Sequence, residues 1–190
     1  MRHFRVCLNA FLLLSMALDG ELAWAAKPTE NTDTLTISLA RALSRDVDLQ
    51  YMHAITQSFA VGGNGAVAWP KPEAPVTSAF QLGLGGQARW YPLGRLGRGL
   101  DFAADAQYAW RRTSGASEGF TLSGSSHALQ FAGGLGGQLT AWGHLVFDSH
   151  LGLRWHASWT ANSWRPETPA EHTYDSALGV WWDLRIGAAW

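Results

Sequence analysis

The chain has 190 residues, of which 47% are hydrophobic, and its formal net charge at pH 7 is -1. This composition predicts one folded domain rather than a disordered chain. The only lysines are Lys27 and Lys71, so the sequence offers no basic surface for nucleic acid. The unusual part of the composition is the combination of 11 tryptophans and 21 glycines, which the fold has to explain.

Residues 1–25 have the pattern of a secretory signal peptide. A basic start precedes an apolar run from Val6 to Leu18, and Ala23-Trp24-Ala25 fits the small-x-small cleavage rule. A membrane anchor is the alternative, but the run is shorter than the ~20 residues that span a bilayer. We therefore expect cleavage after Ala25, a short segment over 26–33, and a mature chain without cysteine, since the only cysteine is Cys7.

Eight segments with period-two alternation follow, which is the pattern of amphipathic β-strands. They cover residues 34–43, 46–55, 58–69, 77–91, 100–112, 126–142, 144–160 and 176–190. In the last segment Leu178, Val180 and Trp182 face one way, whereas Asp183 and Arg185 face the other. The first two segments are open to a second interpretation as one long strand. An even number of strands is favoured because it brings the two chain ends of the barrel to the same side of the membrane.

The connections between these segments alternate in length. Thr56–Ser58, Pro92–Gly99 and Gly143–His144 are compact, Pro70–Val76 is intermediate, and Thr113–Ser125 and Ala161–Asp175 are long. Short turns opposite longer loops are typical of bacterial outer-membrane barrels. The sequence therefore predicts an all-β fold, an antiparallel up-and-down eight-stranded transmembrane β-barrel over residues 34–190, preceded by the signal peptide.

A glycine-rich stretch, Gln81-Leu-Gly-Leu-Gly-Gly-Gln87, resembles a phosphate-binding loop. Such a loop should open a helix, but here a strand-like run to Trp90 follows. The stretch is also echoed by Phe131-Ala-Gly-Gly-Leu-Gly-Gly-Gln138. We therefore expect these glycines to give room within strands of a narrow barrel rather than to bind a nucleotide.

Aromatic residues concentrate at the predicted strand ends, where they would form two girdles at the membrane interfaces. The girdle residues are Trp69, Trp90, Tyr91, Trp110, Trp142 and Trp159. The alternative is the aromatic core of a soluble β-sandwich, but a sandwich does not need its tryptophans banded at strand ends.

The inward positions of the predicted barrel carry nearly balanced charges. They form a predicted polar network of Arg89, Asp101, Asp105, Arg111, Asp148, Arg154, Asp183 and Arg185. An eight-stranded barrel is just wide enough for its own side chains, so this set favours a hydrogen-bonded plug. A narrow channel for small solutes remains the alternative.

With these features the chain resembles the small eight-stranded outer-membrane barrels of the OmpA, OmpX and OmpW group over residues 34–190. The terminal strand, which ends in Trp190, and the segment Tyr51–Phe59 carry the resemblance. It implies that Leu184, Ile186 and Trp190 belong to the signal that the barrel-assembly machinery recognises. It also implies that the protein lies in the bacterial outer membrane, in contact with membrane lipid and lipopolysaccharide.

One pair of residues suggests catalysis. His156-Ala157-Ser158 is similar to the His-x-Ser motif of outer-membrane lipid A deacylases, with Glu167 or Glu171 as the acid that would orient the histidine. The family's Asn after the serine is Trp159 here. The alternative is an ordinary polar pair that faces the barrel interior.

No metal and no cofactor is expected from the sequence. The histidines lack partners at ligand spacing along the chain, and His150 and His156, which share a face, lie roughly 20 Å apart on a strand. The expected role is structural, adhesive or envelope-interacting, carried by the external loops and without catalysis. A deacylase-like enzyme and a channel are the alternatives, and the sequence does not identify the partner of the loops.

Overall fold

The computed structural model describes residues 31–72, 76–92, 96, 98–117, 120–163 and 171–190, and the predicted signal peptide lies outside them. The strands are β1 (Asp33–Ser38), β2 (Asp46–Thr56), β3 (Phe59–Ala68), β4 (Val76–Trp90), β5 (Arg98–Ser117), β6 (Phe120–Ala141), β7 (Leu145–Ser163) and β8 (Glu171–Ala189). One short helix, α1 (Leu39–Ala42), separates β1 from β2. No helix within the described ranges has the length and apolarity to cross a membrane.

Each strand pairs antiparallel with the next, and β8 returns to pair with β1, so the sheet closes into a ring. The prediction of eight up-and-down strands is confirmed, including the separation of the first two. The first strand is shorter than predicted because Ser38 caps α1, where its hydroxyl accepts a hydrogen bond from the Arg41 amide at 3.2 Å.

The register determines how far the strands tilt. Thr36 pairs directly with Gly187, whereas following the ladders from Thr36 through β2 to β7 leads to Ala177, ten residues away on β8. A stagger of this size over eight strands corresponds to a tilt of about 40°, which is typical of small closed barrels.

The two faces of the ring have opposite polarity. Leu84, Leu100 and Leu178 point outward and are 72%, 65% and 67% exposed, whereas Arg89 and Asp148 point inward and are each 1% exposed. The alternation predicted from the sequence therefore holds, with the apolar face outside. This distribution is the reverse of that in a water-soluble protein, whose large apolar side chains are inside.

The connections lie at two ends of the ring. The turn end carries the β2–β3, β4–β5 and β6–β7 connections, and the loop end carries the other four. At the turn end the chain termini of the ring also meet, since the amides of Thr32 and Asp33 donate to the Trp190 carbonyl at 3.0 and 3.1 Å.

The wall of the ring is higher on one side at the loop end. Strand β1 stops at Ser38, opposite Arg185, although β8 already begins at Glu171; β3 likewise stops at Ala68, opposite Gln81. The long loops predicted over 113–125 and 161–175 are therefore wrong for much of their length, because β5 to β8 continue there as strands. The signal was missed because the residues there are largely small and polar, so the period-two alternation disappears while the backbone ladder continues.

Strand β4 runs through the glycine-rich stretch to Trp90, and no helix follows it in the described residues. Some inward glycines are sterically required: a Cβ at Gly62 would collide with the Tyr51 carbonyl oxygen, and one at Gly152 with that of Gly133. The outward Gly63 is different, because its nearest obstacle is the Gly85 carbonyl oxygen at 3.6 Å.

The adjacent pair Gly62 and Gly63 tests this difference. Gly62→Ala should destabilise the protein by about 1–3 kcal/mol because a neighbouring strand must move. Gly63→Ala should be neutral, or should stabilise the protein by about 0.4–1 kcal/mol, because alanine lowers the conformational entropy of the unfolded chain. Urea unfolding of both variants in lipid vesicles measures the difference, and equal stabilities would contradict the assignment of faces.

Candidate functional site

The interior of the ring near the turn end is organised around Arg89. Its guanidinium donates to Asp148 at 2.6 Å, to Gln50 at 2.8 Å and to Gln87 at 2.6 Å. Gln50 also donates to Gln87 at 2.7 Å. Both members of the Arg89–Asp148 pair have fully buried side chains, and an unpaired charge at this depth would be strongly destabilising.

His150 joins this cluster between two carboxylates. Its Nε2 lies 2.8 Å from Asp101 and its Nδ1 lies 3.4 Å from Asp148, while its ring stacks on Trp181 with centroids 5.5 Å apart. Both ring nitrogens can donate only when both carry a proton. The ligand atoms of Asp101, Asp148 and His150 lie within 4.8 Å of one another, which is a metal-like grouping. Because the Arg89 guanidinium already neutralises Asp148, the arrangement is better suited to an ion-pair network than to a metal ion.

Sequence reasoning missed the partners of His150. Ligand spacing along one chain segment does not reveal them, because Asp101 lies on β5 and His150 lies on β7. The two strands are brought near each other by pairing with β6 on either side. A cross-strand register, which the sequence alone does not fix, would have been needed to find this contact.

A second cluster lies further toward the loop end and is centred on Arg185. This side chain donates to Asp183 at 2.6 Å and to Asp48 at 2.7 Å, and Arg41 from α1 forms an ion pair with Asp48 at 2.9 Å. Ser38 donates to Asp183 at 2.6 Å. The cluster therefore ties α1 to the interior.

An apolar cluster of Met52, Ala60, Tyr91 and Leu96 lies in the interior at the turn end. Tyr91 is 1% exposed and donates from its hydroxyl to Gln138 at 3.2 Å. Burial raises the pKa of Tyr91 above its ordinary value, so the hydroxyl stays neutral. The expectation that Tyr91 belongs to an interfacial girdle is wrong: the chain turns after Trp90, which carries the Tyr91 side chain into the interior.

The other predicted girdle residues lie on the outer surface. Trp69, Trp90, Trp142 and Trp159 are exposed and Trp110 is half-buried. At the loop end an aromatic row runs across neighbouring strands, because Trp110, His127, Trp159 and Tyr174 are successive register partners. Trp90 stacks on Phe102 near the turn end, with centroids 5.5 Å apart. The terminal-strand residues Leu184, Ile186 and Trp190 also point outward.

The remaining members of the predicted network divide into two groups. Asp105 accepts a hydrogen bond from Asn64 at 3.1 Å and lies within charge–charge range of Arg154 and Arg185. Arg111 and Arg154 face the interior closer to the loop end, and neither side chain has a hydrogen bond or ion pair with a described residue. The predicted set is thus brought into one interior, where hydrogen bonds and ion pairs join only some of its members directly.

His156 and Ser158 face this loop-end part of the interior, between the outward Trp155 and Trp159. Ser158 pairs in register with Asp175, and within the described residues no side-chain hydrogen bond joins His156, Ser158 or Asp175 to a partner. Of the suggested acids, Glu167 lies outside the described residues, and Glu171 pairs through its backbone with Asn162. Among the side chains that the structure describes, no acid forms a hydrogen bond with His156.

Comparisons of the chain with protein-family models, with curated proteins and with solved structures each return no match. The resemblance to the OmpA, OmpX and OmpW group thus rests on architecture, a closed ring of eight antiparallel strands.

The Arg89–Asp148 pair gives a direct test of the interior network. Arg89→Met should cost about 3–5 kcal/mol of stability because Asp148 would be left buried without its cation. Adding Asp148→Asn should recover part of that loss, since the uncompensated charge is then removed. Urea unfolding in lipid vesicles measures both effects, with the outward Arg112→Met as the control; equal losses for Arg89→Met and Arg112→Met would contradict the network.

Proposed function

We propose that the protein is an outer-membrane β-barrel with a structural, adhesive or envelope-interacting role exerted at its loop end. The observation that carries the proposal is the inverted polarity of the ring. Buried side chains such as Arg89, Asp101 and Asp148 occupy the interior, while leucines and aromatic residues cover the outside. An outer surface of this kind is unfavourable in water and suited to hydrocarbon.

The aromatic residues support a membrane position between the two ends. The row of Trp110, His127, Trp159 and Tyr174 marks one boundary, and Trp90, Trp142 and Trp190 lie near the other. Tryptophan and tyrosine favour the headgroup region because they combine an apolar ring with a polar group. The partners proposed for this surface are outer-membrane lipid and lipopolysaccharide.

Several features favour a plugged barrel over a channel. The apolar cluster with Tyr91 and Leu96 lies at the turn end, and the ion pairs around Arg89 and Arg185 lie in the interior behind it. A solute would have to displace paired charges to pass. We propose that the loop end, where β5 to β8 continue as strands, is the surface that makes contacts in the envelope.

Delivery to the membrane is proposed to use the signal peptide over residues 1–25 and the barrel-assembly machinery. The last strand offers Leu184, Ile186 and Trp190 on its outward face, and it also closes the ring against β1. Loss of this strand would leave two sheet edges unpaired.

A lipid-facing charge tests the membrane assignment. Leu184→Arg should destabilise the protein in lipid vesicles by about 2–4 kcal/mol, because Leu184 lies in the outward apolar band. Gln57→Arg, in the exposed β2–β3 turn, is the matched control and should have little effect. Urea titration of the vesicle-inserted proteins measures the difference. Failure of the parent to insert into vesicles would overturn the proposal.

A deacylase activity is the second candidate, because His156 and Ser158 match the His-x-Ser motif of such enzymes. Their inward orientation opposes it, since the acyl chains of lipid A would lie outside the wall. Ser158→Ala should therefore fold like the parent, and the parent should release no fatty acid from lipopolysaccharide, as measured by mass spectrometry of lipid A. A deacylated species that disappears in both His156→Ala and Ser158→Ala would instead support the enzyme.

A further inference from the structure

We infer that the loop-end interior binds an anionic, phosphate-bearing lipid, whose headgroup enters beside the β8 edge that β1 leaves unpaired, on the loop-end side of α1. The inference rests on the proposed function, because the membrane position decides what lies outside this edge. The loop-end interior is defined by Arg111, Arg154, His156 and Ser158.

The unpaired edge follows from the unequal strand lengths. Among the described residues, no strand pairs with residues 171–184 of β8 on its β1 side, because β1 ends at Ser38 opposite Arg185. Leu178, Val180 and Trp182 point outward from this unpaired stretch. They lie between Arg185 and Tyr174 of the aromatic row. The unpaired edge is therefore within the apolar band, below the outer interface.

An unpaired strand edge in hydrocarbon is costly, because its backbone N–H and C=O groups have no water to bind. The edge thus needs a polar occupant at this depth. An acyl chain alone offers no hydrogen-bonding groups, whereas a lipid headgroup does. The occupant must therefore place its polar part at the edge and its apolar part outside.

The adjoining interior is suited to an anionic headgroup. The side chains of Arg111 and Arg154 have no hydrogen-bonded partner among the described residues, and the Nε of Arg111 is buried without an acceptor. Arg154 is attracted by the charges of Asp105 and Asp183 without a direct ion pair to either. The nearby carboxylates of Asp48, Asp105 and Asp183 already accept hydrogen bonds or ion pairs from other residues. The guanidinium fork fits phosphate oxygens particularly well.

The structure also leaves space for the headgroup. Ala177 and Gly179 face the interior from β8 and are exposed, and a Cβ added at Gly179 would meet nothing within 4 Å. Asp175, the remaining inward acid on this part of β8, is exposed toward the loop end. It is the register partner of Ser158, so it adds one negative charge to this interior against the two positive charges of Arg111 and Arg154.

The outer margins of the unpaired edge are apolar. Leu178 and Val180 flank it on β8, and Leu39 and Leu43 flank it on the α1 side, where Leu43 is 89% exposed. An acyl chain fits these margins. A second copy of the chain does not, because two barrels inserted in the same orientation would bring their tilted β8 strands together in parallel and crossed.

Lipid binding tests the site on the full protein refolded in detergent. Native mass spectrometry should detect binding of phosphatidylglycerol and of lipid A, and binding of zwitterionic phosphatidylcholine about tenfold weaker. The relative affinities of phosphatidylglycerol and lipid A distinguish the two sources of phosphate. The double variant Arg111→Gln/Arg154→Gln should lose this preference, whereas Arg112→Gln should retain it, since Arg112 is next to Arg111 but faces outward and is exposed.

Two further measurements separate this site from a general attraction to charged lipid. Hydrogen–deuterium exchange should show the edge-facing amides, which are those of the even-numbered residues from 178 to 184, protected by phosphatidylglycerol and not by phosphatidylcholine. Gly179→Trp should fill the space and weaken binding about tenfold while circular dichroism shows an unchanged strand content.

The outcomes also distinguish this inference from the proposed function. A protein that inserts into vesicles but binds phosphatidylglycerol and phosphatidylcholine equally overturns the lipid site alone. Full protection of the even-numbered amides from 178 to 184 without lipid would also overturn it, because the edge would then be covered by protein. A protein that does not insert at all overturns the membrane assignment first.

Discussion

Arg89 can be buried only because Asp148 and Gln50 reach it from other strands while Gln87 supports it from its own. These contacts cross the interior, so they exist only when the ring is closed and in one register. A one-residue slip of any strand would turn its polar residues outward and its apolar residues inward. The interior ion pairs therefore act as a constraint on register and closure, more than as a simple source of stability.

The facing of each strand was predictable from period-two alternation, because one face meets charge and the other meets apolar surroundings. Leu184 and Arg185 illustrate this, since neighbouring positions have opposite polarity and opposite orientation. The extension of β5 to β8 was not predictable, because both faces become polar beyond Trp110 and Trp159. The partners of His150 and the inward turn of Tyr91 were also missed, since both depend on contacts between distant parts of the chain.

The two ends of the interior differ in physical character. The turn end holds apolar packing around Tyr91 and Leu96, followed by paired charges. The loop end holds Arg111 and Arg154, whose side chains form no hydrogen bond or ion pair with a described residue. In an outer membrane this asymmetry would direct any ligand to one end and prevent passage to the other. The low side of the wall, at β1 to β3, would add a route for a ligand that runs parallel to the membrane.

The short ladder between β1 and β8 has a consequence for the order of folding. Every other ladder joins strands that are neighbours in sequence, so hairpins can form locally, whereas Thr34 must find Ala189 across almost the whole described chain. Contacts of such separation carry a high loop-closure entropy and form late. Before closure the chain is an open sheet with an apolar face and two bare edges, a species prone to aggregation. Completion of the ring on a membrane surface, where that face is already covered, would avoid this state in water.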